Sequence, residues 1–169
     1  AEFGAIRLHQ AEVLCPLPRG EELLADIVAD NIAAFGPADR VVVVDHGSPI
    51  PEVTAVRSWV AQALASRLPG APTVEEAVME RREGSDYDFN GELLTDRLAK
   101  LNGRIVLAML FLLPGRHAGP GGDIAEICAA AEQASPGLQV TPSPLVGEHP
   151  LLLNILQARL KDALKGELA

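Results

Sequence analysis

The sequence is short of cysteine, of aromatic residues and of long apolar segments, and each shortage removes a class of protein. Cys15 and Cys128 are its only cysteines and have no metal-type spacing, so a reduced, cytoplasmic protein is expected. The longest apolar run, RIVLAMLFLL, is far shorter than the roughly 20 residues of a membrane helix, so no membrane segment is expected. No basic segment followed by an apolar one opens the chain, which predicts no signal peptide.

Basic residues are also scarce. The 14 Lys and Arg are outnumbered by 23 Asp and Glu, which gives a formal net charge of −9 and a pI near 4.8. A nucleic-acid surface needs clustered positive charge, so no nucleic-acid partner is expected. Walker and Rossmann glycine spacings are missing, so no nucleotide is expected either, and Ser48 lacks the glycine two residues before it that a nucleophile elbow requires.

The sequence does contain enough apolar residues, 48% of the total, for one well-cored domain. Strand and helix patterns alternate along it. The predicted strands are VVVV, TVEEAVME, RIVLAMLFLL and LQVTPSPLV, and the predicted helices cover about 52–68, 92–101, 123–133 and 150–164. Because no hairpin signals separate the strands, this order predicts an α/β three-layer sandwich with a parallel sheet and helices on both faces.

Three ionisable side chains follow three of these strands. The four valines Val41–Val44 predict a strand buried on both faces, and the chain then passes through Asp45 to His46. Glu80 and His117 follow two other strands, and parallel strands end at one edge of the sheet, so the three side chains are expected to converge there. Two imidazoles and a carboxylate suit a divalent metal ion or acid–base catalysis. The alternatives are hydrogen-bonded loop histidines and a solvated Glu80.

The loops at the same edge favour ligand binding. Gly47 and Ser48 precede a helix start, whose free N–H groups attract anions. The glycines of PGRHAGPGGD allow close backbone approach, and Arg116 can pair with a carboxylate. Asp123 is expected to cap the next helix, and His149 to have a capping or surface role.

The first forty residues form a separate unit in this interpretation. AEVLCPLPRGEELLADIVADNIAAF predicts a strand, a proline-broken loop and an amphipathic helix. It shares with LQVTPSPLVGEHPLLLNILQARLKDAL the order Val, Pro-Leu, Gly-Glu and Leu-rich helix, and Gly20 and Gly147 are 127 residues apart. The segment is either an internal repeat or an extra strand–helix unit at a sheet edge. The expected division is an N-terminal extension, 1–39, and a main domain, 40–169.

Two of these motifs together resemble a known family. VVVVDHGSP and FLLPGRHAGPGGDI are similar to the CbiX/SirB family of sirohydrochlorin chelatases, within the class II chelatases that include anaerobic cobaltochelatases and ferrochelatases. The family pattern is an apolar strand running into His-Gly-Ser, then a later strand running into Gly-(Arg or Lys)-His and an Asp-Ile helix start. The resemblance covers the chain from about Arg40 onward, with His46 and His117 separated by 71 residues.

The resemblance implies a flavodoxin-like half of a chelatase that inserts Co²⁺, Ni²⁺ or Fe²⁺ into a tetrapyrrole such as sirohydrochlorin, without ATP, in cobalamin or sirohaem-type biosynthesis. His46 and His117 match the family's two functional histidines, and Glu80 matches its acidic strand end. The chain departs after Glu80, where RREGSDYDFNGE replaces a short proline-containing turn. Chelatases of this class have two similar halves, which implies a homodimer or one half of a longer chain.

Two other functions fit the same residues. The chain could be a different enzyme that uses a histidine at the sheet edge as a general base, such as a lyase or an isomerase. It could instead bind a metal or a tetrapyrrole without turnover, as a carrier or a regulatory half. The sequence does not select the metal, because imidazole ligands accept several divalent ions.

Overall fold

Four parallel strands form the centre of the structure, a computed structural model that describes residues 7–70 and 72–165. The strands lie in the order β2-β1-β3-β4 and are β1 Arg40–Asp45, β2 Thr73–Val78, β3 Gly103–Met109 and β4 Leu138–Pro142. The helices are α1 Glu22–Ala33, α2 Pro51–Ala65, α3 Leu94–Leu98, α4 Asp123–Ala134 and α5 Leu152–Ala163, with short 3₁₀ helices at Ser85–Asn90 and Val146–Glu148. The predicted parallel α/β sandwich is confirmed. In the described ranges no helix is long and apolar enough to cross a membrane.

The valine strand is buried on both faces, as its composition predicted. Val41 and Val43 pack in the layer that contains α1, α2 and α5. Val42 and Val44 pack in the opposite layer with α3 and α4. All four side chains are fully buried, and alternation along the strand sends successive residues to opposite layers. β1 thus lies at the centre of the sheet, paired with β2 on one side and β3 on the other.

The third strand is shorter than its apolar run predicted. β3 ends at Met109, and Leu112 and Leu113 lie in the following loop with 51% and 75% of their surface exposed. The run was predicted as strand through Leu113, and that extension is wrong. The pairing to β1 ends at Met109, and the pairing to β4 has already ended opposite Pro142, so the later leucines have no strand partners.

The last helix turns a different face to the core than the spacing of its apolar residues predicts, which is the face with Leu152, Ile155, Leu156 and Leu160. Ile155 is buried as expected, but Leu156 and Leu160 are 48% and 57% exposed. Arg159 faces inward instead, where its Nε and Nη2 donate to the carbonyl oxygens of Val13 and Leu14. The helix is rotated because this arginine satisfies backbone groups of the N-terminal segment.

That N-terminal segment contains no strand in its described part, so the strand predicted there is wrong. The chain runs irregularly from residue 7 to the start of α1, and its carbonyls are bound by a side chain rather than by a neighbouring strand. α1 packs on α2, α5 and β3, with Ile27 and Val28 in the same core as Val41. The division into 1–39 and 40–169 stays a prediction, as does the internal repeat, and residues 1–6 and 166–169 lie outside the described ranges.

A buried ion-pair network lies beneath the carboxyl edge of the sheet. Arg57 of α2 is 2% exposed, and its Nη1 donates to Asp45 Oδ1 at 2.7 Å. Its Nε donates to Glu76 Oε2 at 3.1 Å, and its Nη2 donates to the backbone oxygen of Asn90 at 2.6 Å. Burial raises the pKa of Asp45, and the neighbouring Arg57 opposes that shift. Arg57 is therefore the charge that keeps two acidic residues and a loop in place.

Replacing Arg57 with Met should lower the free energy of unfolding by about 3–5 kcal/mol, because it leaves the buried carboxylate of Asp45 without its cation. Urea denaturation followed by circular dichroism measures the loss. Arg67→Met is the matched control: Arg67 pairs with Glu22 and Asp26 near the surface, and its loss should cost at most about 1 kcal/mol. Similar small losses in both variants would contradict the role given to Arg57.

Candidate functional site

Two histidines meet at the carboxyl edge of the sheet. His46 follows β1 directly, and His117 lies in the loop after β3. Their ring centroids are 4.7 Å apart, with an angle of 71° between the ring planes. Because β1 and β3 are neighbouring parallel strands, residues far apart in the chain come together at this edge. The expected convergence of the two imidazoles is present.

His46 is held between a backbone carbonyl and Glu80. Its Nδ1 lies 3.1 Å from the carbonyl oxygen of Gly47, and its Nε2 lies 3.2 Å from Glu80 Oε1. When Nδ1 carries the proton donated to Gly47, Nε2 directs a lone pair toward the carboxylate. Two electron-pair donors facing each other are stabilised by a cation between them, either a proton or a metal ion. Glu80 therefore lies where the sequence placed it, next to one imidazole.

His117 is held by a residue that had been given a different role. Asp123 Oδ2 lies 2.5 Å from His117 Nδ1, so the ring donates its Nδ1 proton to this carboxylate. Asp123 is the first residue of α4 and Gly122 is the N-cap, so the predicted capping role of Asp123 is wrong. A carboxylate on one ring nitrogen fixes the tautomer and leaves the other nitrogen as a ligand or base. The sequence places Asp123 shortly after His117, which allows the contact but does not distinguish it from helix capping.

A glycine brings the His46 loop against β2. Gly47 has a φ of +99°, and a Cβ there would lie 1.9 Å from the carbonyl oxygen of Glu80. The amide of Glu80 donates to the carbonyl oxygen of His46 at 3.1 Å. The contact between the two loops therefore requires glycine for both its conformation and its size.

Ser48 is bound by a residue that sequence reasoning missed. The side chain of Asn90 accepts from the Ser48 amide at 3.1 Å and donates to the Ser48 carbonyl at 2.9 Å. The Ser48 hydroxyl accepts from the amide of Ile50 at 3.0 Å, at the start of α2. The Ser48 amide is thus already occupied in this structure. Asn90 lies in RREGSDYDFNGE, the segment for which no structure was predicted.

A cleft of about 360 Å³ opens beside His46. It is lined by His46, Gly47, Ser48, Pro49, Glu80, Arg81 and Arg82. Arg116 is exposed on the His117 loop, and no carboxylate of the described residues pairs with it. His149 does not line this cleft, and its Nδ1 accepts from the amide of Leu151, the residue before α5, at 3.3 Å.

The two imidazoles are not part of a closed set of side chains around one point. Within residues 7–70 and 72–165, no three His, Cys, Asp or Glu side chains are grouped to hold a metal ion. The cysteines do not contribute ligands, because both are buried and burial raises the pKa of both thiols, that of Cys128 to about 12. Closed sets of four ligands are typical of structural metal sites, whereas open sets leave positions for a substrate.

The sheet order defines a flavodoxin-like α/β protein, and two adjacent histidines lie at the carboxyl edge of its sheet. The family model of CbiX matches residues 40–163, and the chain belongs to the CbiX family. None of the curated proteins matches the chain in sequence.

Solved structures share this fold at low sequence identity. SirB from Bacillus subtilis with Fe³⁺ has a TM-score of 0.68 and 19% identity, covering 94% of this chain and 58% of that one. The sirohydrochlorin chelatase SirB from Bacillus subtilis subspecies spizizenii in complex with cobalt has a TM-score of 0.65 and 16% identity, covering 93% and 55%. DR2241 from Deinococcus radiodurans, a multi-domain protein with structural similarity to chelatases, has a TM-score of 0.57 and 24% identity, covering 82% and 29%. The chain thus spans little more than half the length of the SirB chains.

Replacing Gly47 with Ala should destabilise the protein more than the same change at Gly36. Both glycines have positive φ, but nothing lies within 4 Å of a Cβ at Gly36, whereas at Gly47 it meets the Glu80 carbonyl. Gly36→Ala therefore reports the conformational cost, and Gly47→Ala adds the steric one, about 1–3 kcal/mol more. Thermal unfolding of both variants measures the difference, and equal losses would show that the two loops do not need their close contact.

Proposed function

We propose that this chain is one half of a chelatase that inserts a divalent metal ion, Co²⁺, Ni²⁺ or Fe²⁺, into a tetrapyrrole such as sirohydrochlorin, without ATP, in cobalamin or sirohaem-type biosynthesis. Membership of the CbiX family and the likeness to the SirB fold support it. The observation that carries it is the contact between the His46 and His117 rings, 4.7 Å apart at the edge of the sheet.

The proton balance of the reaction fits two histidines. Inserting a divalent ion into the macrocycle releases two pyrrole protons, and a neutral imidazole can bind the ion or accept one proton. In the proposed mechanism His46 and His117 deliver the metal through Nε2 and accept the protons at the same atoms. Each resulting imidazolium has a carboxylate beside it, Glu80 for His46 and Asp123 for His117. Glu80 is proposed as a third metal ligand, which requires its carboxylate to move toward the metal, because no three such side chains are grouped for a metal ion in the described residues.

The open geometry suits a metal that is a substrate. A metal held by a full set of protein ligands exchanges slowly, whereas an ion on two imidazoles and one carboxylate keeps positions for the incoming pyrrole nitrogens. The solvent-exposed fractions of the His46 and Glu80 side chains, 45% and 60%, leave room for the macrocycle to approach. The metal passes to the tetrapyrrole as the ring nitrogens replace the protein ligands.

The acidic chain must supply positive charge locally for the carboxylates of the tetrapyrrole. Arg116 is exposed beside His117, so it can pair with one of them. Gly47 and Ser48 line the cleft and complete the proposed binding surface. The two unpaired cysteines fit a reducing compartment, and a cytoplasmic location belongs to the same proposal.

A second half completes the site in this proposal, supplied either by another copy of the chain or by a longer two-half chain. Apolar side chains are exposed near the sheet edge, among them Ile50, Val53 and Leu112. An apolar groove of about 830 Å³ lies between residues 10–17, the start of α2 and Leu112. Surface of this kind is typical of an interface.

The purified chain should therefore sediment as a dimer at micromolar concentration, and Leu112→Glu should shift it toward monomer, because a buried interfacial charge is unfavourable. Sedimentation velocity measures both. Leu153→Glu, at a leucine that is 67% exposed on α5, serves as the comparison. A monomer that inserts metal at full rate would show that no second half is needed.

The non-catalytic alternative is binding of a metal or tetrapyrrole as a carrier or regulatory half. It fits the same two adjacent imidazoles, which can hold a metal ion or line a tetrapyrrole site without any turnover. Titration with Co²⁺ and with a metal-free tetrapyrrole, followed by a turnover assay, separates the two functions. Binding of both ligands without metal insertion would identify a carrier.

His46→Ala and His117→Ala should each lower the rate of Co²⁺ insertion into sirohydrochlorin by roughly 100-fold or more, because each removes a proton acceptor and a ligand. The absorption change of the macrocycle measures the rate. Both side chains are partly exposed, at 45% and 33%, so stability should change little. His149→Ala, outside the pair, should retain its rate; wild-type rates in both site variants would refute the mechanism.

A further inference from the structure

The segment that follows Glu80 is fixed to the His46 loop by a buried asparagine. Asn90, with none of its surface exposed, closes the 3₁₀ helix Ser85–Asn90. Its Oδ1 accepts from the Ser48 amide and the Thr54 hydroxyl, and its Nδ2 donates to the carbonyls of Ser48 and Tyr87. All four hydrogen bonds available to the amide are made. The exposed residues of this segment are therefore held in a defined position beside the cleft.

Two arginines of this segment line the cleft with His46 and Glu80. Arg81 is neutralised, because its Nη1 lies 3.0 Å from Asp88 Oδ1. Arg82 is different: its Nη1 donates to the Tyr87 hydroxyl at 3.3 Å, and its guanidinium carbon lies 5.6 Å from the centre of the Tyr87 ring. In the described part of the chain no carboxylate forms an ion pair with Arg82. Tyr87 orients this guanidinium without cancelling its charge.

The strand order places this charge opposite the other unpaired arginine of the site. Arg82 follows β2, His46 follows the central β1, and Arg116 follows β3, so the two arginines flank the histidine on opposite sides. A flat macrocycle that presents its centre to His46 would extend its edges toward both. Without such local cations, the carboxylates of the macrocycle would be repelled by Glu80 and by the net charge of −9 of the protein.

We propose that Arg82, oriented by Tyr87, binds a peripheral carboxylate of the tetrapyrrole and so contributes to selection of a polycarboxylated macrocycle. This inference rests on the proposed function. A guanidinium accepts a carboxylate in a bidentate, charge-assisted pair, and the hydrogen bond to Tyr87 uses only one nitrogen of the group. Arg82 contacts the edge of the substrate rather than the reacting nitrogens, so it acts on binding and leaves the chemical step unchanged.

The experiment compares binding of metal-free sirohydrochlorin and of its fully esterified form by the whole chain, followed by macrocycle absorption. Arg82→Gln should raise Kd and KM for the free acid by about threefold to tenfold, with kcat unchanged, and should weaken the salt dependence of binding. Arg82→Lys, which keeps the charge but loses the fork, should fall between the two. The ester should bind wild type and Arg82→Gln equally. Arg104→Gln, exposed at the opposite edge of the sheet where β3 begins, should change nothing.

The outcomes separate this subsite from the proposed function. An unchanged Kd in Arg82→Gln, or an equal loss with acid and ester, overturns the subsite, while metal insertion by the wild type leaves the chelatase proposal standing. Conversely, wild-type insertion rates in both His46→Ala and His117→Ala, together with weaker binding of the acid by Arg82→Gln, keep the subsite and refute the mechanism. A wild-type chain that binds no tetrapyrrole overturns both.

Discussion

The pairing of β1 with β3 is the constraint on which the rest of the site depends. The two strands are in register from Arg40 opposite Ile105 to Val44 opposite Met109; β3 then ends, and β1 ends one residue later at Asp45. The loops that follow β1 and β3 therefore leave the sheet at the same edge. One loop begins with His46 and the other contains His117. A strand as apolar as Val41–Val44 is stable only when covered on both faces, so the sheet has helices on both sides and its edge is the available surface. The burial that stabilises the fold also determines where the imidazoles meet.

A polar network supports that edge from below. Asp45 precedes His46 and is buried against Arg57, which also binds Glu76 and the backbone of Asn90. Such a network is costly to form, since Asp45 Oδ2 has no hydrogen-bond partner in the described part of the chain. The network fixes the positions of four elements, because the guanidinium of Arg57 in α2 binds β1, β2 and the 3₁₀ helix Ser85–Asn90. The loop that carries His46 is thereby attached to the loop that follows Glu80.

The sequence was most informative where one local pattern decides the structure. Val41–Val44 and the strands after it are set by runs of apolar residues, and the two histidines followed from where those runs end. The patterns of apolar residues gave wrong predictions where a contact with a residue distant in the sequence determines the structure. Leu112 belongs to an apolar run but has no neighbouring strand, and α5 turns Leu156 outward because Arg159 binds carbonyls at the other end of the chain. Asp123 was assigned to the helix beside it, whereas it binds His117, and nothing local distinguishes the two roles.

The two histidines are bound to their carboxylates through different nitrogens. Asp123 contacts His117 through Nδ1, on the side of the ring that faces its own loop, whereas Glu80 contacts His46 through Nε2, on the side that faces the cleft. A ligand that binds His46 at Nε2 must therefore also contact Glu80 or displace it. The Glu80 side chain is 60% exposed to solvent. His117 has no such competitor at Nε2 among the described residues. The pair is consequently asymmetric: Asp123 holds the His117 ring at Nδ1 and leaves its Nε2 open, whereas Glu80 lies directly against Nε2 of His46.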